Sequence, residues 1–189
     1  MRTKIAVIVF LILITTVARA ENLMELSLDD PTLASPKIEA DAKVKVEGAS
    51  SLRITAQWPT TVCVGEVPGP NIENTKLVYS AHVKTQLEAG GTAFLEMWVH
   101  IGGGQYFSRG MNDAIGQESD WKTIQTPFLF QKGQRPERIT LNLVIQGKGT
   151  VWIDDVVLTT EPLNQFPSSN GSFVPRFART PHPAGWRFQ

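Results

Sequence analysis

The stretch GTVWIDDVVL, residues 149–158, sets two adjacent carboxylates inside a run of strand-forming residues. Val151, Trp152, Ile153, Val156, Val157 and Leu158 favour extended backbone, because branched and aromatic side chains pack well on a pleated surface. Asp is depleted in strands, and a buried carboxylate without partners is expensive. Asp154 and Asp155 therefore need a local reason. In a regular strand neighbouring side chains face opposite sides, so one of the two is expected to point outward and the other inward. A bulge between them would let Ile153 and Val156 both face a core. The inward carboxylate then requires either a hard cation or several backbone donors.

The same two-residue period runs along the chain in both directions. SSLRITAQW (50–58) places Leu52, Ile54, Ala56 and Trp58 on one face, and KVKVE (43–47) alternates before it. KLVYSAHVKT (76–85) sets Leu77, Tyr79, Ala81 and Val83 opposite Val78, Ser80, His82 and Lys84. TAFLEMWVHI (92–101) sets Leu95, Met97, Val99 and Ile101 opposite Phe94, Glu96, Trp98 and His100. RITLNLVIQG (138–147) sets Ile139, Leu141, Leu143 and Ile145 opposite Thr140, Asn142, Val144 and Gln146. A wholly apolar face at period two means a strand with one side on a core. PGPN, AGG, GGG and GKG separate the runs as turns. No long amphipathic helix and no internal repeat interrupts them. The expectation is an all-β protein, a sandwich or barrel.

Residues 1–20 read as a secretory signal. Arg2 and Lys4 precede the uncharged run IAVIVFLILITTV, which ends in Ala18-Arg19-Ala20. The run is short for a bilayer span of about 20 residues, so cleavage after Ala20 is expected, with a secreted or periplasmic product and no membrane insertion afterwards. Without Arg2, Lys4 and Arg19, 15 of the 18 basic residues remain against 18 acidic ones. A mildly acidic chain lacks the basic footprint that nucleic acid demands. Cys63 is the only cysteine and has no internal disulfide partner; the alternation of TTVCVG makes it a small buried hydrophobe. Residues 160–189 hold five prolines and no periodicity. They read as an irregular tail whose Phe166, Phe173, Phe177, Trp186 and Phe188 either dock, on the sandwich or on a protein partner, or stay free. The domain proper is thus expected over residues 21–159.

GASSLRI (48–54), Asp120–Trp121 and the run from Gly147 to Leu158 together resemble the carbohydrate-binding-module-like jelly rolls of the galactose-binding-domain-like superfamily. The resemblance covers roughly residues 40–159. It implies a jelly-roll β-sandwich of two antiparallel sheets with the irregular tail outside it. It also implies that Trp121 and Trp152 are packing residues, and that an acidic residue of the last strand, Asp154 or Asp155, is a candidate ligand for a structural calcium ion. Hydrogen bonds from a neighbouring loop are the alternative, and no cofactor is then required.

The polar faces of the two long strands are candidate binding surface for a carbohydrate or another small polar ligand. They carry His82 and Lys84, then Glu96, Trp98 and His100 beside Phe94, with Asn142 and Gln146 on a third strand. A pyranose needs a flat ring for its apolar face and paired polar groups for its hydroxyls, and this set supplies both. Tyr106, behind three glycines in IGGGQYFSRG, is a candidate to close over such a groove from a loop spanning 102–120. The alternative is that this loop or the tail covers the face and makes Trp98 a core residue. His82, Glu96 and His100 would form a two-His-one-carboxylate metal set if their strands were neighbours. No nucleophile elbow, phosphate loop, dinucleotide fingerprint or zincin motif is present. Asp154 and Asp155, on opposite faces, do not make a glycosidase pair. The expected function is non-catalytic binding; a structural or protein-interaction sandwich of a bacterial envelope and a metal-dependent enzyme are the alternatives.

Overall fold

In a computed structural model of the chain, residues 21–26 and 38–163 are described. The expected signal segment 1–20, and the tail from residue 164 onward, lie outside the described residues. Ten strands account for most of the rest: β1 (Glu21–Leu26), β2 (Ile38–Asp41), β3 (Ser51–Ala56), β4 (Thr60–Pro68), β5 (Thr75–Leu87), β6 (Thr92–Ile101), β7 (Gly104–Arg109), β8 (Glu118–Phe130), β9 (Arg138–Gln146) and β10 (Gly149–Pro162). All pairings are antiparallel. One sheet runs β2-β3-β10-β5-β8, with β1 also on β10; the other runs β4-β9-β6-β7. The two sheets make the expected jelly-roll β-sandwich.

The core lies between the sheets and is built from the apolar faces read in the sequence. Leu77, Tyr79, Ala81 and Val83 of β5 meet Leu95, Met97 and Val99 of β6 and Ile139, Leu141, Leu143 and Ile145 of β9, all without solvent exposure. Four expectations fail. Residues 43–47 are a run of bends rather than a strand, and Trp58, past the end of β3, is 57% exposed. Cys63 is exposed on β4, while Val62 and Val64 take the inward positions. The 102–120 segment is half strand: Gly102 and Gly103, at φ 56° and 75°, turn the chain back so that β7 pairs along β6. Positive φ at two successive positions is where glycine is needed.

The two aspartates sit at a true bulge. Pairing of β10 with β5 jumps between Asp154 and Val157, and Asp155 adopts φ 47°. Ile153 and Val156 both enter the core. The carboxylates do not face opposite sides, however. Asp154 is in register with His82 of the outer face, and Asp155 reaches His82 Nδ1 at 3.1 Å. An extra residue in the strand pushes both out of the sandwich together. Asp154 is nevertheless only 3% exposed. Oδ2 accepts the amides of Val46 (2.7 Å) and Glu47 (3.3 Å), and Oδ1 accepts that of Asp155 (2.9 Å).

The bulge also marks a change of neighbour. On one side of β10, residues 149–153 pair with β3 and residues 156–160 with β1. The bends at 42–49 come to Asp154 at this junction, and Trp152 beside it, 6% exposed, donates its indole N–H to Asp41 Oδ2 at 3.0 Å. That bond is the first cause holding Asp41 below the usual carboxylate range. KVKVE is therefore a loop fastened across the sheet. β10 continues to Pro162, past the boundary expected at 159, and Glu161 pairs with Lys76 of β5 at 2.9 Å.

Candidate ligand groove

The strand register of the four-stranded sheet builds the site. Core-facing residues alternate with three successive cross-strand rows on the outer face: Arg109–Glu96–Asn142–Cys63, then Phe107–Trp98–Thr140–Glu66, then Gln105–His100–Arg138–Pro68. Side chains of these rows border a groove of about 260 Å³, with Trp98 and His100 on one wall and Thr61, Cys63 and Glu66 on the other.

Glu96 organises the first two rows. It is 4% exposed. Its Oε1 accepts the Trp98 indole N–H at 2.6 Å and the Asn142 amide at 3.5 Å, while Oε2 pairs with Arg109 Nε. A carboxylate buried at this depth needs such compensation. Both oxygens are engaged, so Glu96 positions the indole. The ring of Trp98 lies 5.2 Å from that of Phe107, tilted by 46°, and the Arg109 guanidinium stands 4.9 Å from the Phe107 ring centre. With its N–H bonded within the protein, Trp98 offers the groove an aromatic face held in one orientation.

The third row is polar. Arg138 donates toward His100 Nε2 at 3.2 Å, and the Gln105 amide lies 3.4 Å from the same ring. Burial and then the Arg138 charge hold the His100 imidazole below its ordinary value. Neutral His100 can accept from Arg138; imidazolium cannot. Across the middle row, Thr140 donates to Glu66 Oε1 at 3.2 Å.

The structure thus brings Glu96, Trp98, His100 and Asn142 together and sends the other expected residues elsewhere. Trp98 is part-buried yet on the outer face, so it is neither core nor free surface. Gln146 is on the same face but beyond Phe94 and Val144, where it accepts from Thr92 at 3.3 Å. Tyr106 is opposite Val99 and packs on the core, facing away from the groove. His82 and Lys84 belong to β5 in the other sheet. There His82 stands between Asp155 and the Thr123 hydroxyl (3.1 Å), and Lys84 pairs with Asp120 at 2.7 Å. The set His82, Glu96, His100 therefore does not converge, because a sandwich places β5 and β6 in different layers. Among the described residues no group of three His, Cys, Asp or Glu side chains is arranged to hold a metal ion.

Arg138, Gln105, Thr140 and Glu66 complete the groove without having been singled out in the sequence; Phe107, which follows Tyr106 behind the same glycines, packs against Trp98 from β7. Reading GQYFSR as a strand would have found Gln105, Phe107 and Arg109 on one face, and running the β9 alternation back two residues would have found Arg138.

The fold is a jelly-roll β-sandwich of the kind found in solved carbohydrate-binding modules. The chain is similar to the CBM22-1 xylan-binding domain of Paenibacillus barcinonensis Xyn10C, with TM-score 0.53 and 15% identity over 77% of this chain and 98% of that one. It is similar to the tandem CBM22-1–CBM22-2 domains of the same enzyme, with TM-score 0.55 and 17% identity over 84% of this chain and 50% of that one. It is also similar to the CBM22-1–GH10 modules of Clostridium thermocellum xylanase 10B complexed with xylohexaose, with TM-score 0.54 and 12% identity over 78% of this chain and 30% of that one. At these identities the likeness is one of fold. No protein-family model matches the chain, and no curated protein matches it.

Proposed function

We propose that the protein is an exported, non-catalytic module that binds carbohydrate in the groove over β4, β9, β6 and β7. The observation that carries this reading is the fixed Trp98 face bordered by hydrogen-bonding side chains. The Glu96 bond removes the indole rotation that a ligand would otherwise have to freeze, and preorganisation of this kind improves affinity. Thr140, Asn142, Glu66 and Arg138 offer donors and acceptors for hydroxyls around that ring. The solved domains of similar fold named above support a glycan over other small polar ligands.

A glycan array probed with the full exported protein tests the reading, followed by titration calorimetry with the best hit. Trp98→Ala is expected to weaken binding about tenfold or more while the melting curve still shows a folded domain, since a desolvated aromatic anchor contributes on the order of 1–3 kcal/mol. A folded Trp98→Ala protein with unchanged affinity would move any sugar site away from this groove.

A further inference from the structure

The charges of the groove are not all spent. Glu96 and Arg109 cancel within the first row. Of the four described arginines, Arg53, Arg109 and Arg135 pair with Glu39, Glu96 and Glu73. Arg138 instead donates to the neutral acceptor of His100, and among the described residues no carboxylate lies within ion-pair distance. Beside it Gln105 contributes an amide. This end of the groove therefore presents a guanidinium and an amide. A guanidinium matches a carboxylate in geometry as well as charge.

Glu66 is the second groove charge without an ion-pair partner among the described residues. Among them it takes the Thr140 hydroxyl, on the far side of that residue from Trp98. Arg138 and Glu66 are one row apart on neighbouring strands, roughly 7 Å along the strand direction at about 3.3 Å per residue. A ligand stacked on Trp98 meets positive charge at one side and negative charge at the other.

We infer that the groove selects a largely neutral glycan bearing an isolated uronic acid, whose carboxylate is received by Arg138. The inference rests on the carbohydrate reading above and narrows it. A polyuronate would bring a second carboxylate against Glu66, where like charges repel. A wholly neutral glycan would leave Arg138 without its match. An isolated acid on a neutral backbone satisfies both ends.

Three probes test this by calorimetry at low salt: a neutral xylo-oligosaccharide, the same oligosaccharide carrying one glucuronic acid, and an oligogalacturonate. The singly acidic probe is expected to bind about tenfold more tightly than the neutral one. That preference should shrink as salt rises, because the pair is partly exposed and screened, and vanish in Arg138→Gln. Glu66→Gln should raise affinity for the oligogalacturonate specifically. Equal binding of the neutral and singly acidic probes, or a preference that survives Arg138→Gln in a folded protein, overturns the inference and leaves the carbohydrate reading intact. If neither xylo-oligosaccharide binds, the inference fails; the glycan array then separates the two ideas, since binding of another glycan spares the broader reading and silence removes both.

Discussion

Trp98 and Glu96 are two residues apart on β6, share its outer face, and are joined by an indole N–H bond to Oε1 of 2.6 Å. Alternation puts the pair on one side of the strand, and the Arg109 ion pair from β7 permits the carboxylate to be buried there. A buried charge in this protein thus serves to aim a ring.

Replacing that carboxylate should therefore cost stability and binding together. Glu96→Gln keeps an acceptor for the indole but abandons Arg109, and is expected to cost about 1 kcal/mol. Glu96→Ala leaves the Trp98, Asn142 and Arg109 donors unmatched and is expected to cost about 2–3 kcal/mol, less than for a fully buried pair because Arg109 is half exposed. Urea denaturation measures both, and indole fluorescence should report a less ordered Trp98. An Ala variant as stable as the parent would show that Glu96 is not the organiser.

Asp154 tests what fastens the 42–49 loop. It accepts three backbone amides, so Asp154→Ala should lose about 2–4 kcal/mol and Asp154→Asn about half of that, since an amide retains one acceptor oxygen. Because the amides already serve the carboxylate, chelator and added calcium are expected to leave the melting temperature unchanged. A calcium-dependent rise would instead reveal a cation bound to the native state.

Glycines separate by what surrounds them. A Cβ on Gly149 would lie 2.3 Å from the Gln86 carbonyl oxygen and 2.7 Å from Leu87 Cα, both backbone atoms that cannot step aside. At Gly102, φ 56°, nothing lies within 4 Å. Gly149→Ala should cost about 3 kcal/mol or more, through a displaced β5–β10 ladder. Gly102→Ala should cost about 1–2 kcal/mol, for the left-handed backbone alone. Thermal melts with equal losses at the two sites would contradict the close approach.

His100 gives the pH dependence. Its folded-state value is depressed below the ordinary imidazole value of about 6.5, first by burial and then by the Arg138 charge. Below 6.5 the unfolded chain takes up a proton that the folded one resists, so this histidine's contribution to stability is complete above that pH and is lost as pH falls toward the folded value. An NMR titration should find the His100 midpoint below 6.5. Arg138→Gln should raise it part of the way, with burial keeping it depressed. A midpoint unmoved by that substitution would show that the guanidinium does not act on the ring.

Period-two patterning carried the core strands, because burial of one sheet face imposes the same alternation whatever the partner strand is. It placed Leu77 to Val83, Leu95 to Val99 and Ile139 to Ile145 correctly, and it foresaw the bulge between Ile153 and Val156. The same signal was weak where burial was lacking. Val44 and Val46 alternate with charged residues, yet their segment is held by amide bonds to Asp154, a residue 108 positions away from Val46. Cys63 sits among valines but takes the outward position on β4.

Which strands became neighbours was decided by tertiary structure alone. β5 and β6 follow one another and have similar patterns, so their polar residues look like one surface in sequence. A jelly roll sends them to different sheets. That separates His82 and Lys84 from Trp98, and it brings in Phe107 from β7 and Arg138 from β9 instead. Alternation records only the direction of each side chain relative to its own strand, whereas the groove depends on cross-strand register. Register is set by long-range backbone pairing, which leaves no mark on any single strand's sequence.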